Sequence, residues 1–117
     1  MKNFRDLKVW EKAHSSTLDS YRFTNPFPRQ ELFGLTSQIR RAGVSIAANI
    51  AEGCGKRGNG EFQRCLNIAA GSASELEYHV LLARDLHRLD GVSCRRLDEA
   101  VGEVKRVLSA LVRRLAG

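Results

Sequence analysis

Residues 93–115, SCRRLDEAVGEVKRVLSALVRRL, decide the fold. Within them Leu97, Val101, Val104, Leu108, Leu111 and Leu115 recur at alternating steps of four and three. That spacing lays apolar side chains along one face of a helix and leaves Arg, Lys and Glu on the other. A helix with one apolar stripe must bury it against neighbours. Ser93 is a candidate N-cap.

Working back along the chain, the same period recurs. Phe62, Cys65/Leu66, Ala69, Ala73, Leu76, Val80, Ala83 and Leu86/His87 form a second stripe, with Asn59 a candidate cap and Asp90-Gly91 the stop. Before it stands Gly53-Cys54-Gly55-Lys56-Arg57-Gly58-Asn59-Gly60, whose glycines make it the strongest loop signal in the chain. A third stripe, Leu32, Leu35, Ile39, Ala42/Gly43, Ile46 and Ile50, follows Asn25-Pro26-Phe27-Pro28, where two prolines break any helix and Pro28 suits a first helical position. The first helix has Asn3 as candidate cap and an expected inner stripe of Leu7, Trp10, Ala13, Thr17, Leu18 and Tyr21. Strand-like alternation and hairpin turns are missing. The expected fold is therefore all-α: one domain over residues 1–117, with helices at about 6–23, 29–54, 60–89 and 94–115. Four such helices on short connections pack as an antiparallel up-down-up-down bundle. Gly34, Gly43 and Gly71 lie within helical stretches where glycine costs about 1 kcal/mol relative to alanine. They point to a close approach, expected between helices two and three or across a subunit interface.

The 117 residues carry 19 Lys+Arg against 13 Asp+Glu, a formal net charge of +6. Residues 61–92 are net acidic within an otherwise basic chain. No apolar run is long enough to span a bilayer, and the charged start Met1-Lys2-Asn3-Phe4-Arg5-Asp6 is unlike a secretory signal; a cytoplasmic location is expected. Cys54, Cys65 and Cys94 are odd in number and lack a CxxC spacing, as small buried hydrophobes would be.

No catalytic set is complete. A di-metal site in a bundle needs Glu-x-x-His on two helices, and the chain has only Glu11-x-x-His14; Glu75 and His79 share a face as an ordinary pair would. Neither a metal nor any other cofactor is expected. Cys54 lies beside Lys56 and Arg57 with no histidine near it in sequence, which suits an inert, solvent-exposed thiol better than a nucleophile. The glycines and cations of its loop follow a helix, so they fit neither phosphate-binding fingerprint, although Lys56 and Arg57 suit contact with a phosphate backbone. Asn49 and Glu52, near the end of helix two, suit tethers for that loop. Arg40-Arg41, Arg95-Arg96, Lys105-Arg106 and Arg113-Arg114 leave two readings open. They are solvated faces and intersubunit ion pairs, or Arg95, Arg96, Lys105, Arg106, Arg113 and Arg114 form a basic ridge for RNA or DNA phosphates. Few exposed aromatics accompany that ridge, so sequence readout is not indicated.

Several segments carry a resemblance. Asp6-Leu7-x-Val9-Trp10-x-Lys12-Ala13, Phe33-Gly34-Leu35-Thr36-Ser37-Gln38-Ile39-Arg40-Arg41-Ala42, Val44-Ser45-Ile46-x-x-Asn49-Ile50-Ala51-Glu52-Gly53, Glu61-Phe62 and Ala70-Gly71-Ser72-x-x-Glu75-Leu76-Glu77 are similar to the bacterial four-helix-bundle family encoded in intervening sequences of 23S ribosomal RNA genes. The likeness covers about residues 4–90; the accessory protein of diversity-generating retroelements is similar more distantly. The resemblance implies an antiparallel bundle assembling into a ring-shaped homo-oligomer, a pentamer, with a positive surface suited to nucleic acid, and it implies no catalytic residues. Ala47 stands where the family often has Pro, which implies a straighter second helix. The expected function is a non-enzymatic, RNA-associated homo-oligomer. The alternative is a protein-binding scaffold, for example an adaptor for a reverse transcriptase, without direct nucleic-acid binding.

Overall fold

A computed structural model describes residues 2–116; the ends of the expected domain span, Met1 and Gly117, lie outside the described residues. Four α-helices are present: α1 (Lys8–Thr24), α2 (Ser37–Cys54), α3 (Asn59–Asp85) and α4 (Gly91–Ala116). No strand occurs among the described residues. α1 packs on α2 and α4, and α3 packs on the same two, so each helix has two neighbours around a shared core. The extents of 44 × 21 × 20 Å are those of helices lying side by side, with α3 and α4 about 40 Å long and α1 and α2 about 26 Å.

The α4 stripe behaves as its spacing dictates. Leu97, Val101, Val104 and Leu108 are fully buried, and Leu111 and Leu115 pack against the core where the helix runs toward its end. They meet Phe62, Leu66, Ala69, Ala73, Leu76, Val80 and Ala83 from α3 and Ile39, Ile46 and Ile50 from α2 in one cluster. Each large aliphatic side chain taken from water contributes roughly 1.5–3 kcal/mol. Ala47 is buried within an uninterrupted α2, as a residue other than proline permits.

α1 differs from its expected stripe. Leu18 and Tyr21 are exposed, and the buried face is Val9, Ala13, Ser16, Thr17, Ser20 and Thr24. The four hydroxyls satisfy themselves along their own helix: Ser16 donates to the Lys12 carbonyl, Thr17 to Ala13, Ser20 to Ser16 and Thr24 to Ser20, at 2.7–3.2 Å. Small, self-satisfied residues let α2 come close. A Cβ on Gly43 would lie 3.0 Å from Ser20 Oγ, and Thr17 Oγ1, 2.9 Å from the Gly43 carbonyl, shares its one hydroxyl hydrogen between that carbonyl and Ala13. The close approach at Gly43 is thus to α1 and not to α3. Gly53 supplies the α2–α3 approach, since a Cβ there would sit 2.9 Å from both Cys65 and Phe62. Gly71 faces open space.

The second helix is not continuous from residue 29. A 3₁₀ turn (Arg29–Glu31) and a π turn (Leu32–Thr36) precede α2, and Gly34 leaves helical geometry at φ −112°, ψ −110°. The break turns Phe33 outward, 93% exposed. At the N-terminus, Asn3 caps only the 3₁₀ turn Phe4–Asp6, accepting from the Arg5 N–H at 3.1 Å. Two other caps differ from expectation. Asn59 is the first helical residue of α3 and the cap position belongs to Gly58, whose φ of +79° favours glycine. α4 is capped by Asp90, which accepts from the Ser93 N–H at 2.8 Å and from its hydroxyl at 2.9 Å. α3 ends at Asp85, before Asp90-Gly91, in a Schellman turn: His87 takes φ +59°, its N–H reaches the Arg84 carbonyl, and the Arg88 N–H reaches Ala83.

Candidate nucleic-acid interface

The loop between α2 and α3 closes tightly, with the Gly55 N–H on the Glu52 carbonyl and the Lys56 N–H on Gly53. Lys56 and Arg57 stand exposed on it. The Lys2 N–H donates to the Cys54 carbonyl at 3.0 Å and Lys2 Nζ sits 4.8 Å over the Phe62 ring, so the N-terminal segment lies against this loop. Asp6, Leu7, Lys8 and Val9 then share a cleft with Arg106, Val107, Ala110, Leu111 and Arg114 of α4. One end of the molecule therefore gathers the α2–α3 loop, the start of α1 and the last turns of α4.

This placement divides the expected ridge. Arg113 and Arg114 join Lys56 and Arg57 toward the loop end, and Arg106 lies midway along α4 on the cleft it shares with Lys8. Arg95 and Arg96 lie at the opposite end, where Arg96 stacks 5.7 Å from the Phe23 ring. About 15 Å of helix separates Arg96 from Arg106, and Asp98, Glu99 and Glu103 stand exposed in that interval. Lys105 is committed elsewhere: its ammonium meets Glu77 of α3 at 2.7 Å, both half-buried. The six residues do not form a continuous ridge because α4 passes acidic groups, an aromatic partner and an inter-helix ion pair along its length.

Three cations that sequence reasoning missed complete the loop end: Lys2, Arg5 and Lys8. Their signal is topological, since only the packing of the first residues against the α2–α3 loop and the end of α4 brings them there. With Arg64 they make nine cations, against Asp6, Glu11, Glu52 and Glu61. The loop-side half of the molecule carries a net +5 of the chain's +6. Arg22, Arg29, Arg40, Arg84, Arg88, Arg95 and Arg96 are nearly balanced at the other end by Asp19, Glu31, Asp85, Asp90, Asp98 and Glu99. Lys12–Glu103 (2.7 Å) and Lys105–Glu77 tie α4 to α1 and α3 between them.

The remaining motif residues are distributed through the packing. Trp10 stacks on His14 and meets Phe4 edge-on. Arg40 donates to Thr24 Oγ1 at 2.9 Å and lies 4.6 Å over the Tyr21 ring, while its neighbour Arg41 faces outward. Ser37 opens α2 just beyond the Gly34 break. Ser45 and Ser72 share a 2.7 Å hydrogen bond across α2 and α3, and Asn49 Nδ2 donates back to Ser45. Asn49 is thus turned away from the loop; Glu52 alone reaches it, through a 4.0 Å contact with Lys56. Gln38, Arg41, Ser45, Ser72 and Glu75 line a cavity of about 280 Å³ on that flank. His79 lies beside it with both ring nitrogens buried, Nε2 being 3.5 Å from Glu75. Cys54 is not exposed: it is 2% accessible, and burial pushes its thiol up against the opposing influence of Lys2. Burial and then the Asp98 charge push Cys94 up as well. Neither is primed as a nucleophile. Among the described residues no group of three or more His, Cys, Asp or Glu is arranged to hold a metal ion, and no helix is long and apolar enough to cross a membrane.

Four helices with their net positive charge gathered toward the α2–α3 loop define an all-α protein of asymmetric charge. The chain belongs to the 23S rRNA-intervening sequence protein family, whose model matches residues 5–110. A solved structure of similar fold is a protein of unknown function from the S23 ribosomal protein family of Bacteroides thetaiotaomicron. It superposes with a TM-score of 0.80 at 26% identity, over 89% of this chain and 97% of that one. No curated protein matches the chain.

Proposed function

We propose that this protein is a non-enzymatic, RNA-associated bundle that presents its loop end to nucleic-acid phosphates in the cytoplasm. The observation that carries the reading is the concentration of a net +5 in the loop-side half built from Lys2–Glu11, Glu52–Arg64 and Arg106–Arg114. The family's name, which ties its members to 23S rRNA, makes structured ribosomal RNA the first partner to test. The cross-contacts Gly53 with Phe62, Ser45 with Ser72 and Glu31 with Arg88 support an antiparallel α2–α3 pair, and hence an up-down-up-down bundle forming one domain. A ring of identical subunits, five in number, repeats the basic end and lets weak phosphate contacts add. The experiment is filter retention of labelled ribosomal RNA across salt concentrations, with native mass spectrometry for subunit number. Replacing Arg106, Arg113 and Arg114 with Gln should flatten the salt slope, by roughly 0.7–0.9 per lost phosphate contact. Replacing Arg95 and Arg96 should leave it nearly unchanged. No retention at low salt overturns the reading.

A second reading, a protein-binding adaptor, draws on Arg41 of α2, which makes no ion pair among the described residues, and on Phe33 in the turn before α2, which stands exposed. It expects one co-purifying protein and no affinity for naked RNA.

A further inference from the structure

We propose that the cleft between the start of α1 and the end of α4 takes up an unpaired nucleotide of a bound RNA strand. The inference rests on the loop-end reading and makes it specific for single-stranded rather than duplex segments. The cleft encloses about 520 Å³, within the roughly 300–1,000 Å³ usual for small-molecule sites. Its walls are apolar, with Leu7 and Val9 on one side and Val107, Ala110 and Leu111 on the other. Its rim is cationic: Lys8, Arg106 and Arg114 border it, and none forms an ion pair among the described residues.

The ligand must therefore join an apolar body to anionic groups on both sides of it. A nucleotide within a strand has that form, since the faces of its base are apolar and a phosphate flanks it in each direction. A duplex hides those faces by stacking and pairing, so only a looped-out or terminal nucleotide offers them. Asp6, on the same cleft, is an acceptor for the base amine or ribose hydroxyl that such a ligand carries. Aliphatic walls grip any base alike, so uptake is indifferent to sequence. Continuity with the basic end favours a polyanion over an isolated acyl anion, which would use one cation and leave the others without a partner.

The test compares a short unstructured RNA strand with the same sequence paired as a blunt duplex, by fluorescence anisotropy with the full chain. The unpaired strand should bind about tenfold more tightly, because the apolar walls take one base face out of water. Ala110→Phe, which fills the cleft without altering charge, should abolish that preference and leave duplex binding unchanged. To remain independent of how that variant folds, the unaltered protein is cross-linked to a strand carrying 4-thiouridine. Cross-links within 6–9 or 106–114 support the cleft; cross-links confined to the α2–α3 loop overturn it. Equal binding of strand and duplex, or a preference that survives in folded Ala110→Phe, overturns the cleft while the electrostatic reading stands. Absence of binding to either RNA overturns both. Displacement of the cross-link by laurate at concentrations that leave strand affinity unchanged assigns the cleft to acyl anions and overturns the nucleotide.

Discussion

At one end of the molecule Lys8, Arg57, Arg106, Arg113 and Arg114 stand without a carboxylate partner among the described residues. At the other, Arg22 meets Asp19 at 3.0 Å, Arg88 meets Glu31 at 3.0 Å and Arg84 meets Asp85 at 3.3 Å. Both ends are built from helix termini joined by short turns, and both are rich in arginine. They differ in what the arginines do. At the far end two arginines join separate elements: Arg88 holds the Arg29–Glu31 turn to the segment after α3, and Arg96 stacks on Phe23. At the loop end close backbone packing at Gly53 joins the helices, which leaves the cations to face solvent. One end is thus joined in part by charge, through Arg88 and Glu31, and the other by close packing at Gly53, and the net positive charge lies toward the second.

The comparison breaks most visibly at Gly53. Gly53→Val drives new methyl groups into Phe62 and Cys65 and should cost about 3 kcal/mol, the upper end of overpacking, or roughly 12 °C in Tm by thermal melting. Gly71→Ala, in open space on the next helix, should raise stability by up to about 1 kcal/mol. Equal responses would show that the approach at Gly53 is not close. Charge comes next. Neutralising Arg106, Arg113 and Arg114 together should weaken RNA binding at least about tenfold, about 1.4 kcal/mol, whereas Arg95→Gln with Arg96→Gln should change it less than about twofold. The reverse order would place the interface at the far end. His87→Gly should relieve a left-handed backbone at the far end and raise stability by about 0.5–1 kcal/mol, with RNA affinity unaltered.

Smallest is the effect of the α4 cap. The backbone N–H of Ser93, and then its hydroxyl, hold the Asp90 carboxyl below the usual carboxylate range. A depressed folded pKa gives stability that is present above the unfolded carboxylate's pKa and is lost as pH falls through the folded value. Asp90→Ala should therefore lower Tm at neutral pH, and the gap to the parent should close as pH falls below about 4. A gap constant down to pH 2 would mean that the charge of Asp90 plays no part.

Most of the helical fold is legible in the sequence because its core is aliphatic and periodic: Leu97, Val101, Val104 and Leu108 could hardly face anywhere but inward. α1 departs from its apolar pattern for a chemical reason. Ser16, Ser20 and Thr24 look polar by residue type but carry no unmet hydrogen bond once the helix forms, so they bury where Leu18 and Tyr21 do not. Asn59 and Ser93 are good capping residues set one to three positions inside their helices, because Gly58 and Asp90 take the start first. The candidate site was half legible. Lys56 and Arg57 stand out in any glycine-rich loop, but charge counted along the chain cannot show that Lys2, Arg5 and Lys8 come to lie beside Arg106 and Arg114. That juxtaposition exists only once α1, α2 and α4 are packed.

The three cysteines acquire a use from where they sit. Cys54 and Cys65 lie sealed beside Gly53 at the loop end, and Cys94 is sealed on the first turn of α4 at the other, all free and none more than 4% accessible. A closed thiol reacts only when the structure around it opens. The molecule thus carries a native pair of clocks, one per end, and timed alkylation read by mass spectrometry would show which end breathes first and whether RNA stills only its own.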